Sequence, residues 1–271
     1  MKLKDWLNVN RNTFLERDLR FLLKQVFPNR HLPFCFAKDV RLERENIRHL
    51  EEIKRLYVSR MPLAYILGKE EFFGYEFQVA PSTLIPRKET EIIVERAIEL
   101  IQKESLSVVL DLCCGCANIG IVIKKVFAQT ILVYCSDVSF AALQVAKGNR
   151  EQTRADVKLI NSDLLESFRE NCFDLIISNP PYVESDQIRG SLVYEPREAL
   201  CGGKDGMDYI EEILRTSKRY VKRSGYIIIE IGYNQKRETN NLVDRYGYGI
   251  VDWIKDYSGN WRGVILKKSS E

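Results

Sequence analysis

The spacing of apolar residues changes twice along the chain. In residues 1–60 they recur every three or four positions. Phe14, Leu15, Leu19, Leu22, Leu23 and Val26 make one stripe, which Pro28 stops, and Ile47, Leu50, Ile53, Leu56 and Tyr57 make a second, ending before Met61-Pro62. Stripes of this width predict helices packed on one another. From 63 to 86 aromatic residues dominate, and the stretch 71–79 reads as two short strands about Gly74, a hairpin leading out of the helical part. An irregular loop with Pro81 and Pro86 follows. Then comes a helix carrying Ile92, Ile93, Val94, Ala97, Ile98 and Ile101, with Thr90 or a neighbour as its cap.

After residue 105, short apolar runs alternate with helical stripes. The runs 108–112, 131–135, 157–160, 173–177 and 226–231 read as strands, and 119–126, 139–147 and 209–221 as helices. Such βαβ alternation predicts an α/β fold with a doubly wound, mostly parallel sheet. Two late strands, 249–254 and 263–267, are separated by the turn Tyr257-Ser258-Gly259-Asn260. That turn is too short for a parallel crossover, so the last strand should run antiparallel in a mixed sheet of about seven strands.

Composition changes this picture little. The 271 residues are 45% hydrophobic and 29% charged, enough for a real core in a main domain with a smaller appendage. No apolar run approaches the roughly 20 residues of a membrane span, and residues 1–6 have no leader-like apolar stretch. Seven cysteines without framework spacing point to reduced thiols in a cytoplasm. Charge adds more. Residues 1–70 carry 15 Lys and Arg against 9 Asp and Glu, while the rest has a small acidic excess. The basic part suits an acidic or RNA-bound partner, or is a set of solvated helix faces. His31 and His49 are the only histidines, so the larger domain must work without one.

Candidate chemistry gathers at the ends of the strands. The first ends in Asp111-Leu112-Cys113-Cys114-Gly115-Cys116-Ala117, a small-residue turn of the sort that meets an adenosine-containing cofactor. With Gly115 as its only glycine it disfavours a pyrophosphate cradle and still admits a cofactor bearing an amino acid and a sulfonium. Its clustered cysteines lack metal-site spacing, and no metal is expected. Asp137, after the second strand, is placed to accept both hydroxyls of a ribose or to cap a helix. Asp163, after the third, suits the exocyclic amine of an adenine or a solvated turn. The fourth strand runs into Asn179-Pro180-Pro181-Tyr182, where two prolines force the chain out of the sheet as a stiff loop. An Asn amide, free carbonyls and an aromatic ring there suit a planar group bearing an NH2, though a proline turn with an Asn cap reads the same.

Together these residues resemble class I S-adenosylmethionine-dependent methyltransferases, and within them the peptide chain release factor glutamine N5-methyltransferases. The stretches that carry the resemblance are 62–68 with Phe72-Phe73-Gly74, Leu84-Ile85-Pro86-Arg87-Lys88-Glu89-Thr90-Glu91, Asn179-Pro180-Pro181-Tyr182, and Glu195-Pro196-Arg197-Glu198-Ala199-Leu200 with the glycines after it. The resemblance implies a Rossmann-like seven-stranded domain at 87–271, an N-terminal helical substrate-recognition domain at 1–62, and a β-hairpin linker at 63–86. It implies S-adenosyl-L-methionine held by Asp111, Cys113, Gly115, Cys116, Ala117, Asp137, Asp163 and Asn179. It makes Asn179, Pro180, Pro181 and Tyr182 the catalytic loop, with Arg87 and Glu195 also at the substrate. The partners it implies are class-1 release factors, met by a cytoplasmic monomer with no sequence-specific nucleic acid binding. The family has Gly where Cys113 and Ala117 stand and Pro at Lys88; small side chains keep the turn if φ is negative there.

The competing readings are an adenine-N6 methyltransferase of nucleic acid, a glutamine methyltransferase of some other protein, and a binding module that keeps the fold. No long insertion comes after Tyr182 to read a nucleic acid target.

Overall fold

The computed structural model describes residues 1–10, 12–27 and 40–269, which fall into two compact units, Met1–Gly68 and Lys69–Glu271. Pro28 and His31 lie outside the described residues. The first unit contains α1 (Leu3–Val9), α2 (Glu16–Val26), α3 (Arg44–Val58) and α4 (Leu63–Leu67). Its core joins Phe14, Leu19, Leu22, Leu50 and Ile53, inward positions of the two stripes, with Trp6 of α1. Leu15 is 66% exposed, because it stands before α2 with extended backbone and is not on the helix face. Residues 63–67, expected in the hairpin linker, are helical instead. Gly68, at φ +71°, closes that helix in the left-handed conformation that glycine adopts without penalty.

The second unit opens with the hairpin, β1 (Lys69–Phe72) and β2 (Tyr75–Gln78), and continues into α5 (Thr90–Glu104). The hairpin belongs to the core of this unit. Phe72 and Phe77 are fully buried, edge to face at 6.1 Å, among side chains of the main sheet and its helices. The Phe73 N–H donates to Glu91 Oε1 at 2.7 Å.

The remaining elements are β3 (Val108–Leu112), α6 (Asn118–Phe127), β4 (Leu132–Asp137), α7 (Phe140–Thr153), β5 (Val157–Asn161), β6 (Phe173–Ser178), α8 (Arg197–Leu200), α9 (Asp208–Tyr220), β7 (Val221–Glu230), α10 (Lys236–Arg245), β8 (Tyr248–Lys255) and β9 (Trp261–Lys268). The sheet order is β5-β4-β3-β6-β7-β9-β8, with β9 antiparallel to both neighbours. This is the seven-stranded mixed sheet that the alternation predicts. Side chains of the central strands alternate between two cores. Val109, Leu175, Ile177 and Ile228 pack on one face, and Leu110, Ile176, Ile227 and Ile229 on the other. Helices cover both faces, which is why these runs are continuously apolar.

Two features were not legible. β7 begins at Val221, directly after α9, because a polar stretch through Gly225 is carried along in its pairing with β6. The helix α10 buries only Thr239, Leu242 and Val243, too narrow a stripe to stand out among polar residues. Among the described residues, no helix is long and apolar enough to cross a membrane.

If the hairpin is core, Phe77→Ala should lower the unfolding free energy by about 3–5 kcal/mol in urea melts. Truncating the 87%-exposed Tyr257 should cost no more than about 0.5 kcal/mol.

Candidate active site

The site lies at the carboxyl ends of β3 and β6, which pair in parallel with Leu112 beside Ser178. Ser178 Oγ donates to the Leu112 carbonyl at 2.8 Å and locks the two ends together. β4 and β5 lie on one side of β3 and β6 on the other, so the sheet order reverses here. Connections leave on opposite faces and open a crevice. The crevice has a volume of about 180 Å³, an order of magnitude more than one water needs.

The turn after β3 forms its floor. Cys113, Gly115 and Cys116 line the crevice, whereas Asp111 and Ala117 do not. Asp111 is fully buried. Its Oδ2 accepts from the Gly120 N–H at 2.8 Å, which ties the strand to the first turn of α6, and its Oδ1 has no partner among the described residues. Burial raises its pKa to about 7. Gly120 is required, because a Cβ there would lie 2.3 Å from Cys135 Sγ. Negative φ at Cys113 and Ala117, the requirement for small side chains to keep the turn, is not met: φ is +61° and +62°, in the left-handed region. Both therefore carry strain, of the order of 1 kcal/mol each, that glycine would not. Burial pushes the Cys113 and Cys116 thiols up to about 12 and those of Cys114 and Cys135 well above normal, so all four are protonated at neutral pH.

Asp137 and Asp163 both line the crevice. Asp137 Oδ2 accepts from the Gly115 N–H at 2.8 Å and Oδ1 from the Ser139 N–H at 2.9 Å. Ser139, not Asp137, caps α7, with its Oγ accepting from the Ala142 N–H at 3.2 Å. A carboxylate has about four lone-pair positions, so Asp137 keeps two for a ligand. Asp163 is exposed at the rim. Among the described residues, the charged ones lining the crevice are Arg87, Asp137, Asp163 and Glu198. The cation of this set, Arg87, has its charge paired: its Nη2 lies 2.5 Å from Glu195 Oε1. This lining repels phosphates and suits a ligand with hydroxyls and positive charge, such as an adenosine bearing a sulfonium and an α-amino group. S-adenosylmethionine therefore fits the residues present.

Asn179 and Pro181 line the crevice from the β6 side, while Pro180 and Tyr182 do not. Asn179 Nδ2 donates to Thr90 Oγ1 at 3.4 Å. Thr90 is the first residue of α5, not its cap. Tyr182, expected to wall a planar substrate, packs against the second core and donates its hydroxyl to Glu230 Oε1 at 3.1 Å. Glu230 ends β7, is 1% exposed, and is raised by burial to about 7. Glu195 is buried too, its second oxygen accepting from the Ile85 N–H at 3.1 Å. With Arg87 it clamps the loop before α5 to the loop after Tyr182, each of its oxygens accepting one bond. Gln235 Nε2 donates to the Tyr182 carbonyl at 2.9 Å and the Gly206 carbonyl at 3.2 Å. A Cβ on Gly206 would lie 2.3 Å from the Tyr182 oxygen, so that loop needs glycine to approach so closely.

Thr90, Glu230 and Gln235 were missed as site residues. A lone acid closing the apolar run Ile227-Ile228-Ile229 was a signal for Glu230. Nothing local marks Gln235.

Comparison with known proteins agrees with this geometry. A family model described as methyltransferase small domain matches residues 90–246. A methyltransferase of Pyrococcus furiosus shares the fold, with a TM-score of 0.54 and 20% identity over 83% of this chain and 98% of that one. The chain is thus a methyltransferase of the doubly wound class. Release factor glutamine methyltransferases are closer in sequence. That of Clostridium botulinum is 36% identical over 93% of this chain and 91% of its own length, and that of Clostridium acetobutylicum 34% over 98% of each. This chain belongs to the release factor glutamine methyltransferase family.

The turn generates two expectations. Ala117→Gly exchanges relief of strain for a lost buried methyl, so its unfolding free energy should stay within about 1 kcal/mol of wild type, whereas Ala146→Gly, inside α7, should cost about 1–2 kcal/mol. Asp111 binds its proton more tightly when folded, so the stability it contributes is full below about pH 4 and lost as pH rises through about 7. Asp111→Asn should therefore gain melting temperature relative to wild type as the pH is raised from 4 to 8.

Proposed function

We propose that this protein methylates the side-chain amide nitrogen (N5) of the glutamine in the Gly-Gly-Gln motif of class-1 peptide chain release factors, with S-adenosyl-L-methionine as donor. One observation carries the reading. In a chain of this family, Asn179 stands at the crevice with one Nδ2 proton donated to Thr90 and its Oδ1 bonded to no described residue.

S-adenosylmethionine supplies an electrophilic methyl group on a sulfonium. Asp137 holds the ribose hydroxyls with its two remaining lone pairs, Asp163 takes the adenine amine, and the Cys113–Cys116 turn supports the rest. An amide nitrogen is a poor nucleophile, since its lone pair is delocalised. Asn179 Oδ1 and the Pro180 carbonyl accept its two N–H bonds and aim that nitrogen at the methyl group. The proton lost after transfer needs no strong base, because N-methylation makes the amide nitrogen strongly acidic. Positioning of this kind is worth up to about 7–11 kcal/mol, and each well-aimed acceptor adds about 3–4 kcal/mol as positive charge grows on nitrogen. Tyr182 supports the loop from the core, and the Arg87–Glu195 pair shapes the substrate side without touching the reacting atoms.

Residues 1–62 serve as the partner-recognition domain, their basic surplus meeting an acidic or ribosome-associated surface. The enzyme works as a cytoplasmic monomer and reads no nucleic acid sequence. Family membership does not favour the adenine-N6 alternative, nor another protein's glutamine.

Incubation with labelled S-adenosylmethionine and a purified release factor should label the factor and leave its Gln→Ala variant in the Gly-Gly-Gln loop unlabelled. Asn179→Ala should lose about a hundredfold or more in turnover while cofactor affinity, read by calorimetry, stays near wild type. Label on both factors, or loss of cofactor binding in Asn179→Ala, would overturn the assignment of substrate or of Asn179 respectively.

A further inference from the structure

The Asn179 amide has two orientations of the same shape and opposite chemistry. One turns the Oδ1 acceptor to the crevice, and the other the Nδ2 donors. Only the first receives the N–H groups of a substrate amide, so the role inferred for its neighbours rests on the proposed methylation of glutamine. Thr90 selects between the two orientations, because its Oγ1 accepts from Asn179 Nδ2. A hydroxyl that accepts this bond must place its own proton elsewhere. Thr90 is 1% exposed and borders the crevice, so its proton goes either to a molecule in the crevice or to a buried acceptor beside it. Glu230 is the acceptor at hand. It is equally buried, its Oε1 takes the Tyr182 hydroxyl, and its Oε2 has no partner in hydrogen-bond geometry among the described residues. The Thr90 hydroxyl stands close enough to favour its charged form.

We propose that Glu230 is a positioning residue, the fixed end of a relay in which Asn179 donates to Thr90 and Thr90 donates to Glu230, so that Asn179 Oδ1 is held toward the substrate. An ionised carboxylate only accepts: Tyr182 donates to one oxygen, and the relay has Thr90 turn its proton to the other, which has no partner in hydrogen-bond geometry among the described residues. A proton on Oε2 reverses the relay. The carboxyl then donates to Thr90, the Thr90 proton goes to Asn179 Oδ1, and the amide turns its NH2 to the crevice. The groups that bias Glu230 come from three neighbouring elements. Arg262 on β9 and the hydroxyls of Thr90 and Tyr182 favour the charged form, while burial and Glu89, just before α5, oppose it. The balance leaves the carboxyl titrating close to neutrality.

The test monitors the side-chain amide of Asn179 by 15N NMR in the full-length protein, beside methyl transfer to the release factor. In wild type the Asn179 resonance should shift with pH in one step near neutrality. Thr90→Val should abolish that step and lower kcat about a hundredfold, with cofactor affinity unchanged. Thr90→Ser should restore both. Glu230→Gln should also lose the step and most of kcat. A wild-type resonance that ignores pH, or a folded Thr90→Val with wild-type kcat, overturns the relay. The wild-type titration needs no variant, so it decides even if Thr90→Val does not fold. If wild type methylates no release factor, the functional reading falls and the NMR titration still judges the relay.

Discussion

The parallel pairing of β3 with β6 is the contact on which the site depends. Register sets Leu112 against Ser178, and the Ser178 hydroxyl bonds across to the Leu112 carbonyl. Each strand is released one residue later, into the Cys113 turn on one side and Asn179 on the other. Two segments 66 residues apart in sequence thus face each other across the crevice. A slip of β6 by one residue would turn Ser178 to the other face and shift Asn179 away from Thr90.

Around that junction, polar groups are buried in an unusual state. Asp111 and Glu230 are both carboxyls at strand ends, both buried, each with one oxygen satisfied and one without a partner among the described residues. Burying them costs stability at neutral pH, since each ionises inside the protein at a free energy that solvent would not charge. What they give in return is orientation. Asp111 holds the first turn of α6 against β3, and Glu230 anchors Tyr182 behind the Asn179-Pro180-Pro181 loop. The four thiols around the turn add small volume and no charge. The loop after Tyr182 is fixed by the opposite means, with its bonds satisfied: Gln235 to two carbonyls, Glu195 to Arg87 and Ile85, and glycine where the backbones meet.

The hairpin is tied into the same arrangement. Asn149 on α7 exchanges bonds with both backbone groups of Gln78 and also donates to the Cys116 carbonyl. One side chain therefore joins β2, α7 and the turn that floors the crevice. The positive φ at Cys113 and Ala117 belongs to this turn's geometry and persists without glycine because those bonds over-determine it.

Local pattern alone determined much of this protein. Continuous apolar runs of five or six residues, bounded by small or polar ones, mark buried parallel strands; a four-residue turn excludes a crossover; two prolines end a strand. That Asn179, Asp137 and Asp163 line the crevice was legible because each stands at the end of a strand, where such sheets open a crevice. The tertiary structure decided what each group had left to offer. Glu195 and Arg87 pair with one another, Asp111 is sealed behind the turn, Tyr182 faces the core, and Thr90, with its neighbour Glu89 in the cap position, meets Asn179. Those outcomes depend on pairings across 48 to 110 residues. Periodicity is a property of neighbours in sequence, and it reports burial of a face; a hydrogen bond between distant side chains leaves no period behind.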